Sequence, residues 1–336
     1  MSKGDGGMTT LREWKRKTFP KGIKRELNKT YDRIFRRVTE RKLAKAIGQL
    51  NIPAGAVIGV HSMLSGLGYI VGGAQTVIKA IQRAVPGCTI FMPTFPFSGS
   101  MQDYLDSNPP VFDASTTPSR SGLLTETLRL MPGAQRSFHP THSCAALGPK
   151  ADELLTGSEW SYTPFGDQSA YGRFCSAKDA YLLLIHTNNA SIVHRIQEMA
   201  DMPNLFFDEE KSVYGFGHHG EVREYRVKVH QPKTPLFVAV NIDDSTKPEF
   251  MWFPDYALLF PSHNKNRIIN VVSEQAKVVL LNRYELFFEK KIYKNSKIHG
   301  AEIMSVEING WMECIVKDVI EGIHKYNFDY ALRKID

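Results

Sequence analysis

The chain reads as an α/β fold: a mostly parallel central sheet covered by helices, with a smaller antiparallel β region in the C-terminal half. Three observations carry this. Short apolar runs bounded by turns recur at residues 56–60, 89–92 and 181–185, as buried strands require. Amphipathic helical segments follow the first and the third. Val77, Ile78, Ile81, Ala84 and Val85 share one helical face, and a second helix spans about 190–200. After Pro203 the pattern changes to short alternating or apolar segments at 213–216, 222–229, 237–240 and 250–253, separated by turns, which predicts antiparallel strands.

The elements follow in order. Residues 1–22 are rich in Gly, Thr and Lys and read as loose; residues 23–38 carry Leu27, Tyr31, Ile34 and Phe35 at helical spacing. Thr39 is the expected N-cap of a helix over 39–50, and Asn51-Ile-Pro-Ala-Gly turns into the first strand. Pro86-Gly87 turns into the second strand, whose exit is the loop 93–100. Residues 112–122 are irregular, and a helix over 123–130 ends at Met131-Pro132-Gly133. Helices are also expected at 271–281 and 311–323. The organisation predicted is a basic N-terminal extension (1–38), a core (39–235) and a C-terminal region packed on it (236–336).

At 336 residues the chain can bury a large core. No apolar run approaches ~18 residues, so no membrane span is expected. The N-terminus lacks the apolar core of a secretory signal, and Cys88, Cys144, Cys175 and Cys314 are widely spaced with no CxxC pair. That pattern excludes a zinc knuckle and a disulfide scaffold and fits a cytoplasmic protein. The net charge of +7 is local: residues 12–45 hold 14 Lys/Arg against four acids, which leaves the rest slightly acidic. Such a segment can attract nucleic acid or an anionic membrane. The reading preferred is a helical extension that covers the body or a partner subunit, with no nucleic acid expected and a homodimer left open.

In parallel sheets, sites form beyond the carboxyl ends of the strands. Three polar segments fall there: 61–65, 93–100 and 186–194. Gly72-Gly73 opens a helix, whose first amides lack partners and attract anions; the alternative is a plain helix start. In His139-Pro-Thr-His142-Ser143, Pro140 prevents the helical geometry that would aim two histidines at one metal, and no third ligand has matching spacing. No metal is assigned. His142 is expected to contact a ligand or the backbone. His194, on the first turn after a strand end, suits general base work because its ordinary pKa lies near neutrality; the alternative is a structural histidine. Glu198, four residues on, either pairs with it or is a solvated helix residue. Neither a Walker loop nor a G-x-S-x-G elbow is present, and His218-His219-Gly220 reads as a turn between strands.

Several separated motifs occur in one order: the run 61–81; Phe112-Asp-Ala-Ser-Thr-Thr-Pro-Ser-Arg-Ser-Gly-Leu-Leu; Arg136-Ser-Phe-His-Pro-Thr-His-Ser-Cys-Ala-Ala-Leu-Gly-Pro; Pro164-Phe-Gly-Asp-Gln-Ser-Ala-Tyr-Gly-Arg; and Asn188-Asn-Ala-Ser-Ile-Val-His. Together they resemble the aminoglycoside 3-N-acetyltransferase family over residues 40–200, fading through about 235. The resemblance implies a three-layer αβα sandwich and acetyl transfer from acetyl-CoA to an amino group of a sugar-like acceptor. It implies that His61, Ser62, Val71, Gly72, Gly73 and Ala74, with Ser119, Arg120 and Ser121, line the cofactor. His194 matches the histidine that deprotonates the acceptor amine, and His142 takes a supporting role. The oxyanion is assigned to loop amides of 61–65 or to the hydroxyls of Thr141 and Ser143.

The chain also departs from the pattern. The family carries an acid on a later strand that orients the histidine and helps bind a cationic acceptor. Here that neighbourhood reads Gly220-Glu-Val-Arg-Glu-Tyr-Arg-Val-Lys-Val-His-Gln-Pro, with Glu224 as the equivalent or His230 in its place. Arg223, Arg226 and Lys228 would repel a polycation. The acceptor expected is therefore a neutral or anionic amino sugar, nucleotide-linked or a polysaccharide precursor. The alternatives are an aminoglycoside 3-N-acetyltransferase conferring resistance and a non-catalytic module docking through its basic N-terminus.

Overall fold

The computed structural model describes residues 21–187, 190–202, 205–231, 236–238, 251–253 and 286–326. The helix expected at 271–281 and most of the loose N-terminus lie outside the described residues. In chain order the helices are α1 (Lys21–Phe35), α2 (Glu40–Gly48), α3 (Ala74–Ala84), α4 (Met101–Asp106), α5 (Leu123–Arg129), α6 (Ala151–Leu155), α7 (Ala170–Ser176), α8 (Ile192–Met199) and α9 (Ile308–Tyr326). The strands are β1 (Arg37–Val38), β2 (Val57–Ser62), β3 (Tyr69–Ile70), β4 (Thr89–Pro93), β5 (Gln135–Arg136), β6 (Cys144–Leu147), β7 (Ala180–Ile185), β8 (Lys211–Phe216), β9 (Val222–Val227), β10 (Leu236–Val238), β11 (Met251–Phe253), β12 (Tyr293–Ile298) and β13 (Ala301–Glu307).

The described residues form a seven-stranded sheet of order β12-β13-β7-β2-β4-β6-β5. Its centre, β7-β2-β4, is parallel; β13 and β6 run against it, so five of the seven strands point one way. Successive side chains of a strand face opposite layers. Ile58, Val60, Ile90, Met92 and Leu183 pack with Leu43, Ile47, Val77, Ile81 and Leu128 of α2, α3 and α5. Val57, Phe91, Leu182 and Leu184 pack with Leu154, Phe174, Val193, Ile196 and Trp311 of α6 to α9. This is the three-layer αβα sandwich, and each large apolar side chain so buried contributes roughly 1.5–3 kcal/mol. Gly59 in β2 has a packing reason: a Cβ there would stand 2.6 Å from the Phe174 ring, which stacks on Phe91 at 5.0 Å. Two antiparallel pairs, β8-β9 and β10-β11, form the smaller β region.

Thr39 caps α2 by accepting the Lys42 N–H at 3.3 Å, as its position predicts. Strands β6, β12 and β13 were not legible in the sequence. Cys-Ala-Ala-Leu lacks β-branched residues, and Tyr-Lys-Asn-Ser-Lys-Ile is a polar edge strand. The N-terminal helix does not bury its apolar stripe on the body. From 26 to 35 only Asp32 is half-buried, and the tie to the body lies at the helix end: Arg36, just beyond it, donates to Gly66 O (2.6 Å) and pairs with Asp32 (3.2 Å). Its apolar side stays outward, with Ile34 61% and Phe35 64% exposed. Among the described residues, no helix is long and apolar enough to cross a membrane.

Strands β2, β4 and β7 end together at Ser62, Pro93 and Ile185. Because β6 is antiparallel to β4 and Cys144 pairs with Pro93, the loop before β6 arrives at that same end. The β8-β9 hairpin packs Val213, Tyr225 and Val227 on Met101 and Leu105 of α4, and its exit strand returns the chain to this edge at His230.

Candidate active site

Beyond those strand ends lies a cavity of about 770 Å³, a size typical of small-molecule sites. All three polar segments singled out in the sequence line it, through His61 and Ser62, through Pro93 to Ser100, and through Thr187, Ser191 and His194. His142, Phe165 and His230, and also Arg120 and Ser121, line the same cavity.

The His139–Ser143 loop is fixed from within. His139 Nδ1 accepts the backbone N–H of Thr141 (3.3 Å) and of His142 (3.0 Å), so its proton sits on Nε2 and faces Ser161 O at 3.3 Å. Burial pushes this imidazole down to about 4, which keeps it neutral in that acceptor role. Arg136 braces the loop by donating to the Thr94 and Ser143 hydroxyls (both 3.1 Å), to Thr94 O (2.6 Å) and to Thr117 O. The Ser143 hydroxyl also donates to Thr94 O, and Thr141 and Ser143 are fully buried. Those hydroxyls are spent inside the fold, so their assignment to the oxyanion is withdrawn. His142 projects into the cavity among Phe95 (4.6 Å between centroids) and Phe165 (5.2 Å). Burial and its neighbouring imidazoles hold it well below the ordinary histidine range.

His194 sits on the first turn of α8. Its Nδ1 lies 2.8 Å from Gln197 Oε1, an acceptor, so Nδ1 carries the hydrogen and Nε2 is the ring's proton-accepting nitrogen. Burial, then the neighbouring His230, push it down to about 4, so the ring is neutral at pH 7. Glu198 does not pair with His194. Its carboxylate accepts His230 Nε2–H (2.7 Å), the Phe165 N–H (2.9 Å) and the Thr163 hydroxyl (2.6 Å). Glu224 is also elsewhere. The hairpin buries Tyr225 and Val227, and alternation turns Glu224 outward, where it accepts from the Ser212 hydroxyl at 2.5 Å. Of the two readings for that region, the geometry brings His230 to the cavity.

The expected cofactor residues divide. His61, Ser62, Arg120 and Ser121 line the cavity. Val71, Gly72, Gly73 and Ala74 do not; they lie at the N-terminus of α3, where Gly72 and Gly73 have φ of 83° and 68°. A Cβ on Gly73 would meet nothing within 4 Å, so this backbone is open to approach. The Gly73 N–H itself donates to Ile70 O (3.1 Å), which leaves anion attraction to the first turn of α3. Ser119 is buried and bonded to Thr125 (2.8 Å); it places Ser121 and does not face the cavity. Among the described residues, no group of three or more His, Cys, Asp or Glu is placed to hold a metal ion.

Comparison with known proteins fits this layout. The model of the aminoglycoside 3-N-acetyltransferase family matches residues 60–318. The chain belongs to that family. It is 30% identical over 184 residues to aminoglycoside N(3)-acetyltransferase VIII of Streptomyces fradiae, covering 51% of this chain and 64% of that protein. It is 32% identical over 179 residues to aminoglycoside N(3)-acetyltransferase III of Salmonella, covering 49% and 62%. The matched segment thus spans under two thirds of these relatives. Among solved structures, aminoglycoside acetyltransferase AAC(3)-Xa superposes with a TM-score of 0.59 at 22% identity, over 85% of this chain and 94% of that one. The binary complex of AAC-IIIb with CoASH gives 0.59 at 19%, over 84% and 96%. These likenesses show the family's fold.

Proposed function

We propose that this protein is an acetyl-CoA-dependent N-acetyltransferase whose acceptor is an amino group of an aminoglycoside. The observation that carries the reading is His194: a neutral imidazole with Nε2 as acceptor, at the strand-end cavity of a family member. An ammonium is no nucleophile, so the acceptor reacts as the free amine, its extra proton already lost to solvent, and His194 takes one N–H proton as the nitrogen lone pair forms the N–C bond to the thioester carbonyl. The C–S bond then breaks, and the imidazolium returns the proton to sulfur, releasing the thiol. Arg120, whose exposed guanidinium makes no ion pair among the described residues, and the open first turn of α3 suit the phosphates of coenzyme A. Loop amides of 61–65 are the donors proposed for the oxyanion.

The nucleotide-linked acceptor expected from the sequence gives way to the aminoglycoside alternative, because the named relatives act on aminoglycosides. Its electrostatic premise also weakens. Arg223 pairs with Glu221 and lies over Trp160, Lys228 lies over Tyr162, and neither they nor Arg226 line the cavity. One observation keeps a second reading, a neutral or anionic amino sugar: no Asp or Glu among the described residues lines the cavity. Thiol release from acetyl-CoA, measured with gentamicin-type aminoglycosides and with nucleotide-linked amino sugars, separates the two. Turnover with neither class overturns the proposal.

A further inference from the structure

This inference deepens the acyl-transfer reading and rests on it. His194 and His230 come from distant parts of the chain, yet their ring centroids stand 5.2 Å apart on one wall of the cavity. Their supports differ in kind. Behind His194 is a neutral amide, Gln197 at 2.8 Å. Behind His230 is a carboxylate, Glu198 at 2.7 Å, the two side chains being only 12% and 6% exposed. The Phe165 N–H and the Thr163 hydroxyl pin that carboxylate, so it cannot swing away to meet another charge. In so dry a setting a fixed carboxylate stabilises an imidazolium far more than an amide does.

We propose that the two rings act as one base, with Glu198-backed His230 as the positioning partner that holds, beside His194, the charge created when the acceptor amine loses its proton. The proton leaves the amine as the N–C bond forms, resides on the imidazole pair, and passes to sulfur as the C–S bond breaks, so nothing beyond amine and thioester is consumed. Among the described residues, the groups facing His194 include Gln197 on its own helix, the Phe165 ring (5.1 Å) from the loop before α7, His230 after β9, and His142 from the loop before β6. Among them His142 is held neutral by burial, and only His230 is bonded to a carboxylate within the described residues. The two rings are therefore coupled: a charge on His230 disfavours a charge on His194, the direction in which His230 acts on that ring.

The test is an NMR titration of the imidazole resonances in the wild type, His230→Gln and Glu198→Gln, alongside kcat/KM against pH. Removing His230 should raise the His194 midpoint by about one pH unit or more. Glu198→Gln, which preserves shape, should lower the His230 midpoint, and both variants should lose roughly ten- to a hundredfold in kcat with KM for acetyl-CoA unchanged. A purely structural Glu198 would lower the melting temperature and leave both midpoints in place. Unchanged midpoints in either variant overturn the proposal, and Glu198→Gln decides alone if His230→Gln does not fold. The titration needs no turnover, so failure of acetyl transfer itself would show separately, as absence of thiol release in the wild type.

Discussion

Two loops leave the same end of one sheet and are built in opposite ways. The segment before β6, from Ser137 to Ser143, is largely buried and bonded at nearly every polar group, with His139 and Arg136 as its internal braces. The segment after β2, from Met63 to Gly73, is exposed or half-buried except at Leu67 and is held largely by backbone contacts with the chain around β1. Chemistry needs a side chain held to a fraction of an ångström, whereas a long flexible cosubstrate needs a reachable backbone. The first demands over-determination; the second demands openness.

Breaking the buried side should give the larger effects. His194→Asn should lower kcat by roughly two to four orders of magnitude with an unchanged melting temperature; near-normal turnover in the folded variant would remove His194 from the mechanism. Arg136→Met strands buried acceptors at Thr94, Thr117 and Ser143, and urea unfolding should show a loss of about 4 kcal/mol.

The third effect is a pH dependence. His139 is 2% exposed and titrates at about 4 when folded, against 6.5 ordinarily. Between those values the unfolded chain binds a proton that the folded chain refuses. Stability should therefore fall as pH drops from about 6.5 to 4, by up to about 3 kcal/mol from this group. Urea midpoints across that range in the wild type and in His139→Asn check it; an equal slope in both would assign the loss elsewhere.

The open loop should respond in binding more than in stability. Gly73→Trp should cost roughly 1–3 kcal/mol, because φ 68° with ψ −152° is a backbone region that residues other than glycine rarely enter. The same change should abolish the rise in melting temperature that coenzyme A causes in the wild type. A retained rise would move the cofactor away from α3 and erase the contrast between the two loops.

Much of this layout was legible because its signals are local. Apolar runs located β2, β4 and β7 to within two residues, and the Gly72-Gly73 turn and Thr39 marked the starts of α3 and α2. His194 was found because a histidine just past a buried strand end has one place to go. The pairing of Glu198 escaped notice because its partner lies 32 residues on, across a hairpin. Glu224 misled because a period-2 strand offers two faces, and the sequence around it is polar on both.

What the sequence determined by itself was the alternation of strands and helices, the end of the sheet where a site must form, and the residue types gathered there, since each follows from periodicity and turn chemistry over a few residues. The tertiary structure alone decided which carboxylate serves which imidazole, which hydroxyls are spent inside the fold, and that the apolar stripe of α1 finds no cover on the body. Those outcomes depend on burial and on contacts between segments far apart in the chain, and no local pattern records them.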